Sequence, residues 1–208
     1  MGPAHAPGDP DALAAKAELR ARMTAIRHAI QPAERNEASV RMIERLCASP
    51  SYENARTVFA FASMEDEVQM DALIERCIAD GKRITIPWIS RRGMMEAVEV
   101  PSLDCLEIGF YGIRNVPASL RSIVIPAEID LAVVPGAAFG VDGARLGLGG
   151  GYYDRYLGLR ATQAERIALT FDALVLPQGV IPMEPHDIYV QAICTESRAF
   201  TCTQSPGV

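Results

Sequence analysis

The sequence predicts a three-layer α/β/α fold on a mostly parallel, Rossmann-like sheet, and three observations carry that expectation. Leu131-Ala132-Val133-Val134 is an all-apolar run ending at Pro135-Gly136, the pattern of a parallel strand buried on both faces. Thr57 to Ala62 and Arg83 to Pro87 are two further β-rich runs, separated by a stretch of helical length, Gln69 to Asp80, that stops at Gly81. Strand, helix and strand in that order make a β-α-β unit with parallel strands. At 208 residues and 49% hydrophobic content, residues 1–208 suit one domain burying roughly 70% of its unfolded surface.

Composition excludes several classes. A net charge of −6 argues against a non-specific nucleic-acid binder. No apolar run approaches the ~20 residues of a membrane span, and Met1 to Pro10 lacks the basic and apolar regions of a signal peptide. The five cysteines are odd in number and never spaced C-x-x-C, so reduced thiols in a cytoplasmic protein are expected. Residues 1–10 and 197–208 read as loose termini.

Taken in order, Asp9-Pro10 opens the first helix with a carboxylate cap and a proline that needs no N–H. Leu19, Met23, Ile26 and Ile30 recur at helical spacing as its core stripe. Lys16, Arg20 and Arg27 share another face, and Lys16 and Arg20 repel at i, i+4 unless an anion joins them. That face is either a solvated basic surface or an anion site. Pro32 opens a second helix reaching about Cys47, with Val40, Ile43 and Cys47 inward.

After the strand at Thr57 comes Ser63-Met64-Glu65-Asp66-Glu67, at the strand end where open α/β sheets bind ligands. Glu65 and Asp66 read as first-turn acids of the following helix, favoured by its dipole. Met94 to Val100 is another strand, and Trp88 is core or rim packing. Pro101 to Ala127 reads as a long surface loop able to cover a site. Arg166 to Phe171 and Ile188 to Thr195 complete the strands.

The chemistry concentrates in Arg145-Leu146-Gly147-Leu148-Gly149-Gly150-Gly151-Tyr152-Tyr153-Asp154-Arg155, where four of the sixteen glycines fall within five positions. Such clusters cost backbone entropy and serve positive φ or close approach to a ligand. Strand, loop, glycines and helix start together make an anion cradle. Neither a Walker A loop nor the G-x-G-x-x-G fingerprint fits, because no lysine follows and Tyr152 stands at the third glycine. A flexible glycine turn is the plainer reading.

This segment resembles the signature of the 5-formyltetrahydrofolate cyclo-ligases, which use ATP and Mg²⁺ to close an N5-formyl group onto N10. Asp130 to Phe139 and Asp142-Gly143-x-Arg145 are also similar to that family's approach to the signature. The resemblance implies that Lys16, Arg20, Arg145, Leu146, Gly147, Leu148, Gly149, Gly150, Gly151, Tyr152 and Tyr153 bind ATP. It implies that Ala62, Glu67, Leu148, Gly149, Gly150, Gly151 and Tyr152 bind the folate, with Glu67 accepting from the pterin donors. Arg145 and Tyr152 would be catalytic, and Asp154 and Asp187 would hold Mg²⁺. Pro182 to Asp187 resembles the family's Pro-x-x-x-His-Asp, in which His186 orients the loop, while Asp172 and Glu184 read as structural. Gly112-Ile113-Arg114-Asn115-Val116-Pro117 departs from the family's Gly-Ile-Pro-x-Pro, with arginine and valine where prolines stand. The expected partner is the small-molecule substrate alone, with the chain a monomer. A sugar-phosphate isomerase and a non-catalytic folate or nucleotide binder are the rival readings.

Overall fold

A computed structural model describes residues 10–90, 94–109 and 112–203. Asp9 and the rest of the predicted loose N-terminus lie outside the described residues, apart from Pro10, which opens the first helix. Helices α1 (Pro10–Ala29), α2 (Pro32–Cys47) and α3 (Pro50–Asn54) come first. Strand β1 (Thr57–Phe59), helix α4 (Asp71–Ala79) and strand β2 (Arg83–Ile89) form the expected β-α-β unit, with β1 and β2 parallel. Gly81 follows α4 at φ +69°, donating its N–H to Ile78 O, so the predicted glycine stop operates.

Strand β3 (Met95–Glu99) returns antiparallel to β2. The stretch expected to be a plain surface loop instead carries two-residue strands β4 (Glu107–Ile108), β5 (Arg114–Asn115) and β6 (Ile123–Val124). Strand β7 (Leu131–Val134) pairs parallel with β1, and β8 (Ala138–Gly140) and β9 (Arg145–Leu146) form a hairpin. Helix α5 (Tyr152–Leu159), strands β10 (Glu165–Leu169), β11 (Val175–Leu176), β12 (Ala192–Cys194) and β13 (Ala199–Thr201) complete the chain. The predicted loose tail is corrected as far as Thr201, since β13 pairs antiparallel with β12 and covers its edge, and residues 204–208 lie outside the described residues.

The main sheet runs β13-β12-β10-β7-β1-β2-β3-β6, parallel through its centre and antiparallel at both margins. Its strands feed two cores by alternation. Val58, Leu131 and Val133 join the side chains of α1, α2 and α4, while Phe59, Ala132 and Val134 join Tyr156 and Leu157 of α5. That arrangement gives helices on both faces and accounts for the unbroken apolar runs of β1 and β7. Asp130 Oδ2 accepts the N–H groups of Arg56 and Thr57 at 2.8 and 2.9 Å, fixing where β1 and β7 start together.

Two helix faces differ from the sequence expectation. In α1 the buried residues are Lys16, Leu19, Met23 and Arg27, and Ile26 is exposed. In α2 Val40 is exposed, while Arg35, Ala38, Ser39, Met42, Ile43 and Leu46 are buried. In both helices the inward stripe includes polar residues, so reading apolar positions alone rotates the face. Among the described residues no helix is long and apolar enough to cross a membrane, and all five cysteines are free thiols.

Candidate functional site

From β1 the chain steps outward through β2 and β3, then returns to the other side of β1 as β7 and continues through β10 and β12. The strand order therefore reverses between β1 and β7, where doubly wound sheets open a ligand crevice beyond their carboxyl ends. A cleft of about 680 Å³ lies there. Phe61, Ala62 and Glu67 line it after β1, Pro87 and Trp88 from β2, Pro135 after β7, and Arg145, Gly147, Leu148, Gly150, Gly151, Tyr152, Tyr153 and Asp154 beyond.

The glycine segment links β9 to α5. Gly149 takes φ +105° and Gly151, the cap of α5, takes φ +61°, conformations that disfavour any residue with a Cβ. Gly151 brings no side-chain acceptor to the helix start, which leaves the first-turn amides to an external anion. Leu146 turns from the cleft: its side chain is buried in the core, and its carbonyl accepts from Ala137 N at 2.7 Å.

Arg145 is buried beneath this segment. It donates from Nη1 to Pro135 O at 3.1 Å and from Nη2 to Asp154 Oδ1 at 2.7 Å, while its buried Nε lacks a hydrogen-bond partner. Burial alone would raise the Asp154 pKa, but the charge and hydrogen bond of Arg145 hold it below the usual carboxylate value. Asp154 Oδ1 also accepts the Ile188 N–H at 3.2 Å, which ties the start of α5 to the residue after Asp187.

The basic face of α1 closes over this point rather than facing solvent. Lys16 Nζ reaches Glu184 Oε2 at 2.7 Å and Asp187 Oδ2 at 2.5 Å, and Arg20 Nε donates to Gly147 O at 2.8 Å. Burial pushes the Lys16 pKa down, but hydrogen bonds to Asp187 and Glu184 and their charges outweigh it and raise it. Glu184, read from sequence as structural, is thus part of the assembly. With His186 and Asp187 it forms a group whose ligand atoms lie within 4.8 Å of one another. Asp154 is not a member of that group.

Glu67 sits on the opposite flank of the crevice, in the loop after β1. Its Oε2 accepts the Met64 N–H at 3.0 Å, and Ser63 Oγ pins the loop by donating to Val68 O at 2.8 Å and accepting from Met70 N. Burial raises the Glu67 pKa, opposed by the Met64 N–H and by Arg27, whose Nη1 lies 3.9 Å away. Asp66 and Glu65 are not helix acids: α4 begins at Asp71, Glu65 is exposed, and Asp66 accepts from Arg27 Nε at 2.7 Å. Tyr153 packs 5.9 Å from Phe59, and burial beside Glu67 pushes its hydroxyl pKa upward.

Sequence reasoning put the Pro101–Ala127 loop over the site, and its Gly112–Pro117 part does line the cleft, but it missed Trp88 and Arg121 on that wall. Trp88 faces the cleft with Arg121, whose guanidinium carbon stands 4.2 Å from the indole centroid. The Gly112–Pro117 segment also lines it through Ile113, Asn115, Val116 and Pro117, while Arg114 turns away to pair with Asp71. Nothing local in the sequence marked Arg121.

A model described as the 5-formyltetrahydrofolate cyclo-ligase family matches residues 12–196. The chain is 30% identical over 200 residues to the 5-formyltetrahydrofolate cyclo-ligase of Mus musculus, covering 88% of this chain and 94% of that one. It is 26% identical over 177 residues to the Escherichia coli (strain K12) protein of that name, covering 84% and 96%. Among solved structures, a 5,10-methenyltetrahydrofolate synthetase from Aquifex aeolicus superposes with a TM-score of 0.79 at 26% identity, covering 93% of this chain and 95% of that one.

Proposed function

This chain belongs to the 5-formyltetrahydrofolate cyclo-ligase family, and from that premise we propose that it closes 5-formyltetrahydrofolate to 5,10-methenyltetrahydrofolate at the expense of ATP. The observation that carries this reading is the junction of two ion-paired sets at one crevice. Arg145 with Asp154 adjoins the glycine segment, the Ile188 N–H on Asp154 ties the Lys16–Asp187 pair to them, and the apolar cleft holds the buried carboxylate of Glu67.

In this reading the γ-phosphate of ATP is attacked by the N5-formyl oxygen, ADP leaves, and the formyl carbon becomes an iminium phosphate. N10 attacks that carbon, its proton is lost, and phosphate departs with the former formyl oxygen. Such transfer depends on positioning and charge neutralisation rather than on a covalent enzyme nucleophile. Arg145, Lys16, Arg20 and the amides of Gly147, Leu148, Gly149, Gly150 and Gly151 take the phosphates, and Tyr152 lies against the formyl group. Glu67 accepts from the pterin, because its two oxygens match a pair of N–H donors.

The donor set fits magnesium. Asp154, Asp187 and Glu184 are hard oxygen donors in one linked assembly, the ligand chemistry that this ion prefers. Asp154 and Asp187 would hold it, and bound there it would neutralise charge on the phosphates.

The test mixes the purified protein with 5-formyltetrahydrofolate and MgATP, following the near-ultraviolet band of the methenyl product alongside ADP release. Both signals should rise in equal amounts. Folate binding without either signal would establish a binding protein instead. A sugar-phosphate isomerase has no use for so large an apolar cleft.

A further inference from the structure

We infer that Arg121, stacked on Trp88, is the specificity-determining cation for the carboxylate-bearing glutamyl end of the folate. This rests on the proposed reading of the cleft as the folate site. Arg121 lines the cleft with its guanidinium carbon 4.2 Å from the Trp88 centroid, and Nη2 donates to Val116 O at 3.0 Å. Its Nε is buried and has no hydrogen-bond partner. Among the described residues no carboxylate lies within 4.0 Å of it, although the chain carries a net charge of −6.

Its neighbours make that lack informative. Of the other cations at or near the crevice with buried or half-buried heads, Lys16, Arg27, Arg114 and Arg145 each have an aspartate, and Arg20 donates to Gly147 O. A guanidinium held over an indole, partly desolvated and left without an anion, is preorganised to take one from outside.

The folate supplies the complement. One end of the molecule is a pterin with neutral donors, the middle is a flat aryl ring, and the other end is a glutamate with two carboxylates. Glu67 suits the first end and would repel the last, so charge alone sets the direction of the ligand. Trp88, Val116 and Pro117 offer apolar surface for the ring on the wall that carries Arg121. The phosphates of ATP already have Lys16, Arg20 and Arg145, which leaves Arg121 for the folate.

The experiment compares wild type, Arg121→Ala and Arg121→Lys with 5-formyltetrahydrofolate and with its glutamyl diamide, which keeps N5, N10 and the ring but loses both charges. Trp88 is the only tryptophan, so its fluorescence also reports binding directly and without turnover. Losing one charge-assisted hydrogen-bond pair should raise the KM and Kd for the folate about 10- to 100-fold in Arg121→Ala. The values for the diamide and the KM for ATP should stay within about twofold, and Arg121→Lys should recover part of the loss. Equal loss with both substrates would make Arg121 merely structural, and a rise confined to the ATP KM would make it a nucleotide contact; either overturns the inference. A wild type that handles the diamide as well as the folate overturns it too, leaving the cyclo-ligase reading intact. A wild type that binds no folate overturns both.

Discussion

Lys16 and Asp187 meet at 2.5 Å although 171 positions separate them in the sequence. The contact brings the first helix onto the loop before β12, beside Ile188, whose N–H bonds Asp154 of α5. Glu184 shares that ammonium, and the three side chains are only 10–12% exposed.

Removing the cation should therefore have two separable effects. Lys16→Met leaves two nearly buried carboxylates facing each other, which destabilises by about 3–5 kcal/mol when a buried pair is broken. Urea unfolding should register that loss, and steady-state kinetics should show a higher KM for ATP with a lower kcat. Glu184→Gln leaves Lys16 with Asp187 and should cost less stability. Unaltered ATP kinetics in folded Lys16→Met would remove the residue from the phosphate site.

Gly149 offers a cleaner probe of the cradle. A Cβ there would come no closer than 3.8 Å to Arg20, an ordinary contact, so Gly149→Ala suffers from its φ of +105° alone. Left-handed backbone costs an L-residue roughly 1–2 kcal/mol, here confined to an exposed segment. The melting temperature should move little while the KM for ATP rises severalfold. A large fall in melting temperature with normal ATP kinetics would assign the glycine to folding rather than to phosphate binding.

The strands and the glycine cradle were legible because their signals are local: unbroken apolar runs for β1 and β7, and four crowded glycines for a loop with positive φ. The inward face of α1 was not, because Lys16 and Arg27 can be buried only with partners that lie far along the chain. Asp187 and Asp66 supply those partners, and neither is visible from the helix. The same blindness turned Asp66 into a helix acid and left Glu184 outside the site. Between Pro101 and Ala127 the strands are two residues long and defined by pairing, so no periodicity could reveal them.

Glu67 should show a trade between stability and binding. Its folded pKa is raised by burial, so its favourable contribution is present below the ordinary value of 4.5 and is lost as pH rises through the folded value. Once ionised, the buried carboxylate is a cost to the ligand-free fold. Glu67→Gln keeps an oxygen for the Met64 N–H and removes the charge, so it should melt at the same temperature or higher. Its melting temperature should also depend less on pH as pH rises above the ordinary value of 4.5. Folate binding should weaken by about 2–4 kcal/mol, since the charge-assisted bonds to the pterin are gone. ATP binding should be nearly unchanged; equal loss of both ligands would identify a folding defect, which circular dichroism would reveal.

Magnesium sets the last test, because in the proposed reading the cation shares carboxylates that already have partners. Asp187 is held by Lys16 at 2.5 Å, and Asp154 by Arg145 at 2.7 Å. Asp154 also bonds the backbone N–H next to Asp187, so the two aspartates belong to one junction despite their separate ion pairs. A metal arriving with ATP would draw on these oxygens while phosphate oxygens replace them around Lys16 and Arg145, which keeps every charge opposed throughout. Asp154→Asn and Asp187→Asn should each need severalfold more Mg²⁺ to reach half of their own maximal rate at fixed ATP. Glu184→Gln separates the two roles that its position allows. If Glu184 only steadies Lys16, its KM for ATP rises and its Mg²⁺ requirement stays that of wild type; if it is a ligand, the Mg²⁺ requirement rises as well. An unchanged Mg²⁺ requirement in both aspartate variants would leave Asp154 and Asp187 as counter-ions of Arg145 and Lys16, with the metal carried by ATP alone.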